Sequence, residues 1–253
     1  MEEKMNKPYI GITGFMSRAE VEVILSKLSP SNNHLLMVGV LASWKTLRSI
    51  TNKWPNRYPP VGKIANIFST DPRALNLVHY HTDESETLLH DLRWLTNLGG
   101  KLLHGFQLNV KWPPPKILDE YRIKHPDKKL VLQIGGGALE EVKHSPIRLA
   151  VRVAMEYNEV TDYLLIDPSG GFGMDLDIEK ALDYLRALKE ADIKLTMGVA
   201  GGLNGFSVPA LKKIADEFPD LCLDAEGRLR DEQDTLDLEK AKHYLTESLK
   251  LFL

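Results

Sequence analysis

Eight short apolar runs alternate with amphipathic helical patterns from one end of this chain to the other, and few folds accommodate that rhythm. The runs are Tyr9–Thr13, Leu35–Leu41, Leu75–His81, Gly105–Val110, Leu130–Ile134, Tyr163–Asp167, Lys194–Val199 and Leu221–Asp224. Helical patterns follow over residues 17–28, 61–68, 84–98, the stretch ending near 124, 147–157, 177–191, 208–218 and 237–251. Ser17, with Glu20 three residues on, reads as a capping box opening the first helix. A strand and a helix repeated eight times predict a closed parallel (β/α)8 barrel, an α/β fold. A doubly wound open sheet uses the same alternation but ordinarily fewer units. The length of 253 residues fits the barrel, and no linker or composition break divides it, so one domain over 1–253 is expected.

Charge and cysteine content narrow the function. The net charge is −3, from 32 basic and 35 acidic residues without a polybasic run, which gives no footprint for nucleic acid. The single cysteine, Cys222, cannot form an internal disulfide and suits a reducing compartment. The first seven residues are charged and lack a signal peptide's apolar core. No apolar run approaches the ~18 residues that suggest a membrane span. The expectation is a cytoplasmic protein with neither a membrane nor a nucleic acid as partner.

In a barrel of this kind the catalytic groups come from the C-terminal strand ends and the loops after them. Those positions hold Thr13, His79, His81, Asn109, Lys111, Gln133, Asp167, Gly201, Gly202, Asp224 and Glu226, whereas the opposite ends are plainer. The loops after strands seven and eight read Ala200-Gly201-Gly202-Leu203 and Ala225-Glu226-Gly227-Arg228. Glycines there let backbone N–H groups approach a phosphate, and Arg228 or Arg230 could add a charged fork. The same glycines could equally serve only as tight turns. Asp167, followed by a glycine-rich loop, suits a general acid or base under a cover; the plainer reading is a loop-stabilising carboxylate.

Several segments carry a resemblance. Leu165-Ile166-Asp167 precedes Gly170-Gly171-Phe172-Gly173; Ala200-Gly201-Gly202-Leu203-Asn204, Asn56-Arg57-Tyr58-Pro59 and Phe106-Gln107-Leu108-Asn109 stand elsewhere. In their order and spacing, across nearly the whole chain, they resemble the phosphoribosylanthranilate isomerase family of tryptophan biosynthesis. That family catalyses an Amadori rearrangement of a phosphoribosyl amine. The resemblance implies a TIM barrel of the ribulose-phosphate-binding type, a small phosphorylated substrate, isomerase chemistry, no metal and no cofactor. A homodimer is compatible with it. By the same resemblance Asp167 is the general acid, and Arg57 holds a substrate carboxylate. Gly171, Gly173, Gly201, Gly202, Glu226, Gly227 and Arg228 surround the substrate and its phosphate. Thr13 stands where the family has its cysteine base, and Asn109 where it has a histidine. A threonine hydroxyl is too weak an acid to replace a thiolate near neutral pH. Asp224, His79 or His81 then becomes the candidate base.

Three rival readings come from single features. His79 and His81 share a strand face, as zinc ligands of barrel hydrolases do, and Asp224 could complete such a site. Lys111, on the face of Gln107 and Asn109, could form a Schiff base as in aldolases. A barrel without its base could also persist as a non-catalytic ligand-binding protein. Trp44, Trp54 and Trp112 read as ring-stacking groups or loop anchors. The acidic stretch 231–237 reads as a solvated loop.

Overall fold

In the computed structural model, which describes residues 6–168 and 176–253, eight parallel strands close into one barrel in sequence order. The strands are β1 (Tyr9–Thr13), β2 (Leu35–Ser43), β3 (Ala74–His81), β4 (Gly105–Asn109), β5 (Lys129–Ile134), β6 (Tyr163–Ile166), β7 (Thr196–Ala200) and β8 (Cys222–Ala225). Outside them lie α1 (Arg18–Leu25), α2 (Trp44–Leu47), α3 (Ile64–Ile67), α4 (Leu88–Gly99), α5 (Pro115–Lys124), α6 (Gly136–Glu141), α7 (Pro146–Glu156), α8 (Ile178–Glu190), α9 (Lys212–Glu217) and α10 (Leu238–Lys250). The open sheet is thereby excluded, since β1 pairs with β8 through Ile10–Leu223, Gly11–Asp224 and Ile12–Ala225. The capping box at α1 is formed: Ser17 Oγ accepts from the Glu20 N–H at 3.3 Å, and Glu20 Oε2 accepts from the Ser17 N–H at 2.9 Å.

Strand residues alternate between two cores. Outward residues such as Ile10, Val38, Val78, Phe106 and Leu132 pack under the helices. Inward residues form a smaller cluster of Tyr9, Met37, Leu75, Leu77, Val131, Tyr163, Leu165, Ala200 and Cys222. Two residues further along the same inward faces, the character changes. Leu77 gives way to His79, Val131 to Gln133, Leu165 to Asp167 and Cys222 to Asp224. The apolar plug therefore fills the N-terminal half of the barrel and the polar groups crown it at the C-terminal end, where such folds place their chemistry.

Small residues make room for that crown. A Cβ on Gly11 would lie 2.6 Å from Asp224 Oδ1, and one on Gly39 would lie 2.4 Å from Thr13 Oγ1. At the β1–β8 seam, Tyr9 N–H donates to the buried Cys222 Sγ at 3.3 Å. Burial pushes the Cys222 thiol well above its ordinary pKa. No helix among the described residues is long and apolar enough to cross a membrane.

Candidate active site

Five side chains at or near the strand ends are joined in a hydrogen-bonded chain across the barrel mouth. Thr13 Oγ1 on β1 donates to Asp224 Oδ1 at 3.2 Å. Gln107 Nε2 on β4 donates to Asp224 Oδ2 at 2.8 Å and to Gln133 Oε1 on β5 at 3.1 Å. Gln133 Nε2 donates in turn to Asp167 Oδ2 at 3.1 Å, just beyond β6. Two amides thus bridge two carboxylates, each aspartate only 5–7% exposed. Burial pushes the Asp224 carboxyl up to about 7, and the negative charges of Glu226 and Asp167 add to the rise. Hydrogen bonds from Gln107 and Thr13 to the ionised form oppose it.

Asp167 and Asp224 line a cleft of about 100 Å3 together with Arg57, His79, Gln133, Gly201, Gly202, Glu226, Gly227 and Arg228. The cleft shares His79, Gln133, Asp167 and Glu226 with an adjoining chamber of about 310 Å3, which reaches His81, Asn109, Lys111 and the Gly135-Gly136-Gly137 turn. His79 stands on this shared wall, 4% exposed, with neither ring nitrogen hydrogen-bonded. Burial lowers its pKa, so the ring is neutral near pH 7.

The two glycine loops after β7 and β8 come together at one end of the cleft. Gly201 and Gly202 adopt φ of 112° and 60°, conformations that suit glycine. Asn204 Oδ1 then accepts the Phe206 and Ser207 N–H groups at 2.8 and 3.0 Å, shaping the turn. Arg228 sits on the rim of the same end. Arg230 does not. It is buried beneath the β1 terminus, donating to the Thr13 carbonyl at 2.8 Å and the Gly14 carbonyl at 3.3 Å. It locks the strand-one loop instead of reaching the glycine loops.

Each nitrogen of the Arg57 guanidinium has a partner. Its Nε lies 2.9 and 2.8 Å from the two Asp234 carboxylate oxygens, Nη2 lies 2.7 Å from Asp234 Oδ1, and Nη1 lies 2.8 Å from Glu226 Oε1. The Trp54 ring covers the guanidinium, with the centroid 5.0 Å away. Burial works against its charge, but Asp234 and Glu226 hold the guanidinium above its ordinary pKa. Asp234 belongs to the acidic stretch read above as a solvated loop. That stretch is an ordered loop with Glu232 and Gln233 exposed, closed by an Arg230–Leu236 antiparallel bridge. Asp231 accepts from Gln233 N–H, Thr235 N–H and Thr235 Oγ1 within it.

The remaining sequence candidates distribute unevenly. Asn109 and His81 line the adjoining chamber, where His81 Nδ1 lies 2.9 Å from the Asn109 carbonyl. Among the described residues no group of three or more His, Cys, Asp or Glu could hold a metal, and this includes the His79–His81 pair with Asp224. Lys111 is more than half exposed and pairs with Glu141 at 2.9 Å, as a solvated rim lysine does. Trp112 is a loop anchor, donating to the Ala138 carbonyl at 3.2 Å. Gly171 and Gly173 lie outside the described residues. Gln107, Asp234 and the engagement of Arg57 escape single-strand reading, because their partners are distant in sequence.

Neither a family model nor a curated protein matches the chain by sequence. Its fold, however, is shared with solved structures. Phosphoribosylanthranilate isomerase from Thermus thermophilus superposes with a TM-score of 0.64 at 13% identity, over 96% of this chain and 99% of that one. The Thermotoga maritima isomerase gives 0.65 at 15% identity, over 95% and 98%. A further phosphoribosylanthranilate isomerase structure, with a TM-score of 0.63 at 13% identity, holds reduced 1-(o-carboxyphenylamino)-1-deoxyribulose 5-phosphate and covers 95% and 98%. The resemblance in the motifs is thus a resemblance in three dimensions: the chain has the closed (β/α)8 fold of the phosphoribosylanthranilate isomerases, along nearly its whole length.

Proposed function

We propose that this barrel isomerises a phosphorylated sugar or phosphoribosyl compound by acid–base chemistry between Asp224 and Asp167. The observation that carries the reading is the pair of buried carboxylates bridged by Gln107 and Gln133 at the catalytic end of the barrel. Isomerisation of an aldose-type to a ketose-type compound moves a proton from one carbon and protonates an oxygen nearby. A carboxylate and a carboxylic acid held at fixed positions serve both steps. A carboxyl with a pKa of about 7 is well matched to neutral solution, since it is substantially ionised yet still a useful base. The bridged pair would share one proton near neutral pH, so that Asp224 is the ionised base when Asp167 holds the proton as acid. Thr13 has no basic function here; its hydroxyl donates to Asp224 and orients it.

Phosphate would rest on the N–H groups of Gly201, Gly202 and Gly227, with Arg228 beside them. The relatives' solved complex with a deoxyribulose 5-phosphate analogue supports a small phosphorylated ligand. A proton relay needs no metal or organic cofactor, and the expected partner remains a small molecule, in a cytoplasmic protein.

The test is turnover across a panel of phosphorylated aldoses and phosphoribosyl amines, phosphoribosylanthranilate included. Isomerisation of one of them, lost in Asp167→Asn and in Asp224→Asn, is the expected result. Folded protein that converts none, and whose melting temperature no phosphosugar raises, would leave the ligand-binding barrel as the better reading.

A further inference from the structure

We infer that Glu226 is the specificity-determining residue of this cleft: an internal carboxylate that occupies Arg57, so that the site selects a phosphorylated sugar ending in hydroxyl or amine groups rather than in a carboxylate. This rests on the isomerase reading and names the substrate class for the same site.

A guanidinium recognises a carboxylate by offering two parallel N–H groups from one edge. The Arg57 edge carrying Nε and Nη2 is already given to Asp234, and Nη1 is given to Glu226. The Trp54 ring covers one face. An incoming carboxylate at the Nε–Nη2 edge would have to displace Asp234, and one at the Nη1–Nη2 edge would meet the Glu226 carboxylate beside it. Asp234 is held ready by its own turn, whose backbone and Thr235 hydroxyl are fastened to Asp231. A preorganised internal partner is harder to displace than water, since little ordering entropy is regained when it leaves.

The surroundings point the same way. The cleft presents Asp167, Asp224 and Glu226 together, and Asp83 and Glu140 line the adjoining chamber. A substrate carboxylate placed among them would meet repulsion from several sides in a partly desolvated space. Hydroxyls and amines find what they need there. The ring nitrogens of His79 have no partner, and the Gln133 amide lines both spaces. Asn109 and Thr82 add further donors and acceptors along the chamber wall. The arrangement separates the ends of the substrate by charge, with the anion at the glycine loops and uncharged or cationic groups at the strand-three to strand-five side.

Calorimetric titration with two probes tests this. One is reduced 1-(o-carboxyphenylamino)-1-deoxyribulose 5-phosphate; the other is its phenylamino counterpart, identical but for the carboxyl group. The protein as it stands should bind the carboxyl-free probe at least as tightly as the carboxylated one. Glu226→Gln keeps the shape but removes the charge that competes for Arg57 Nη1, and should improve affinity for the carboxylated probe by about tenfold relative to the other. Thermal melts establish that the variant is folded. Two results overturn the inference while sparing the isomerase reading. One is an unaltered protein that prefers the carboxylated probe by about tenfold and loses that preference in Arg57→Met. The other is a folded Glu226→Gln variant with unchanged discrimination. Failure of both probes to bind would also overturn the inference, and the phosphosugar panel would decide separately whether the isomerase reading stands.

Discussion

The Thr13 hydroxyl donates to Asp224 Oδ1 across 3.2 Å and so ties the first strand of the barrel to the eighth. A donor of this kind favours the ionised carboxylate. Thr13→Val removes it without changing the volume greatly. The Asp224 pKa should then rise further above 7, moving the acidic limb of the kcat/KM profile to higher pH. Activity should fall several-fold at pH 6.5 and recover by pH 9. A uniform loss at all pH values would assign Thr13 a different task.

Asp224→Asn should separate activity from stability. With the folded carboxyl pushed up to about 7 against 3.8 for an ordinary aspartate, the native state binds the proton more tightly than the unfolded chain. The favourable contribution is therefore complete below about pH 4 and is lost as pH rises to about 7. Asparagine does not ionise, and its amide can donate to the Thr13 hydroxyl. The variant should therefore gain stability relative to the parent between pH 4 and 7, by on the order of 2–4 kcal/mol at most. Turnover should drop by about a thousandfold. Denaturant melts across that range decide it, and a pH-independent difference would contradict the assignment.

Asp167→Asn preserves shape and keeps an oxygen to accept from Gln133 Nε2. It should abolish turnover while affinity for a phosphosugar ligand stays within a few-fold, because the glycine loops at the far end are untouched. Retained turnover would remove Asp167 from the mechanism.

The loop after β1 should be intolerant of a side chain. A Cβ on Gly14 would fall 1.5 Å from Arg230 Nη2, at a φ of 102° that disfavours any L-residue. Gly14→Ala should cost more than about 2 kcal/mol, and Arg230→Met in the same chain should recover only part of it, because the backbone strain remains. Urea unfolding of the single and double variants measures both terms.

Periodicity makes the barrel legible. The run Tyr9–Thr13 matches β1 end to end and the others fall within two residues of their strands, because a strand buried on both faces leaves a short continuous apolar run. The limits blur where local chemistry is ambiguous. Strand seven begins at Thr196 instead of Lys194, whose N–H is taken by the Asn158 side chain. The aspartates at the ends of β6 and β8 stand out as polar residues closing apolar runs. Their linkage does not stand out, for Gln107 reaches Asp224 across 117 positions of sequence, and only barrel closure brings them together. Asp234 is hidden for a similar reason. Nothing in an acidic run distinguishes the one carboxylate that folds back on an arginine 177 residues away.

The lone cysteine turns the barrel into its own gauge. Cys222 is 1% exposed, holds the Tyr9 N–H on its sulfur, and sits where the first and last strands meet. A thiol reagent can reach it only when that seam parts. Because no other thiol exists in the chain, the rate of labelling in native buffer counts openings at the closure point one by one. Ligand that fastens the glycine loops of strands seven and eight would slow that clock, with no need to know what reaction follows.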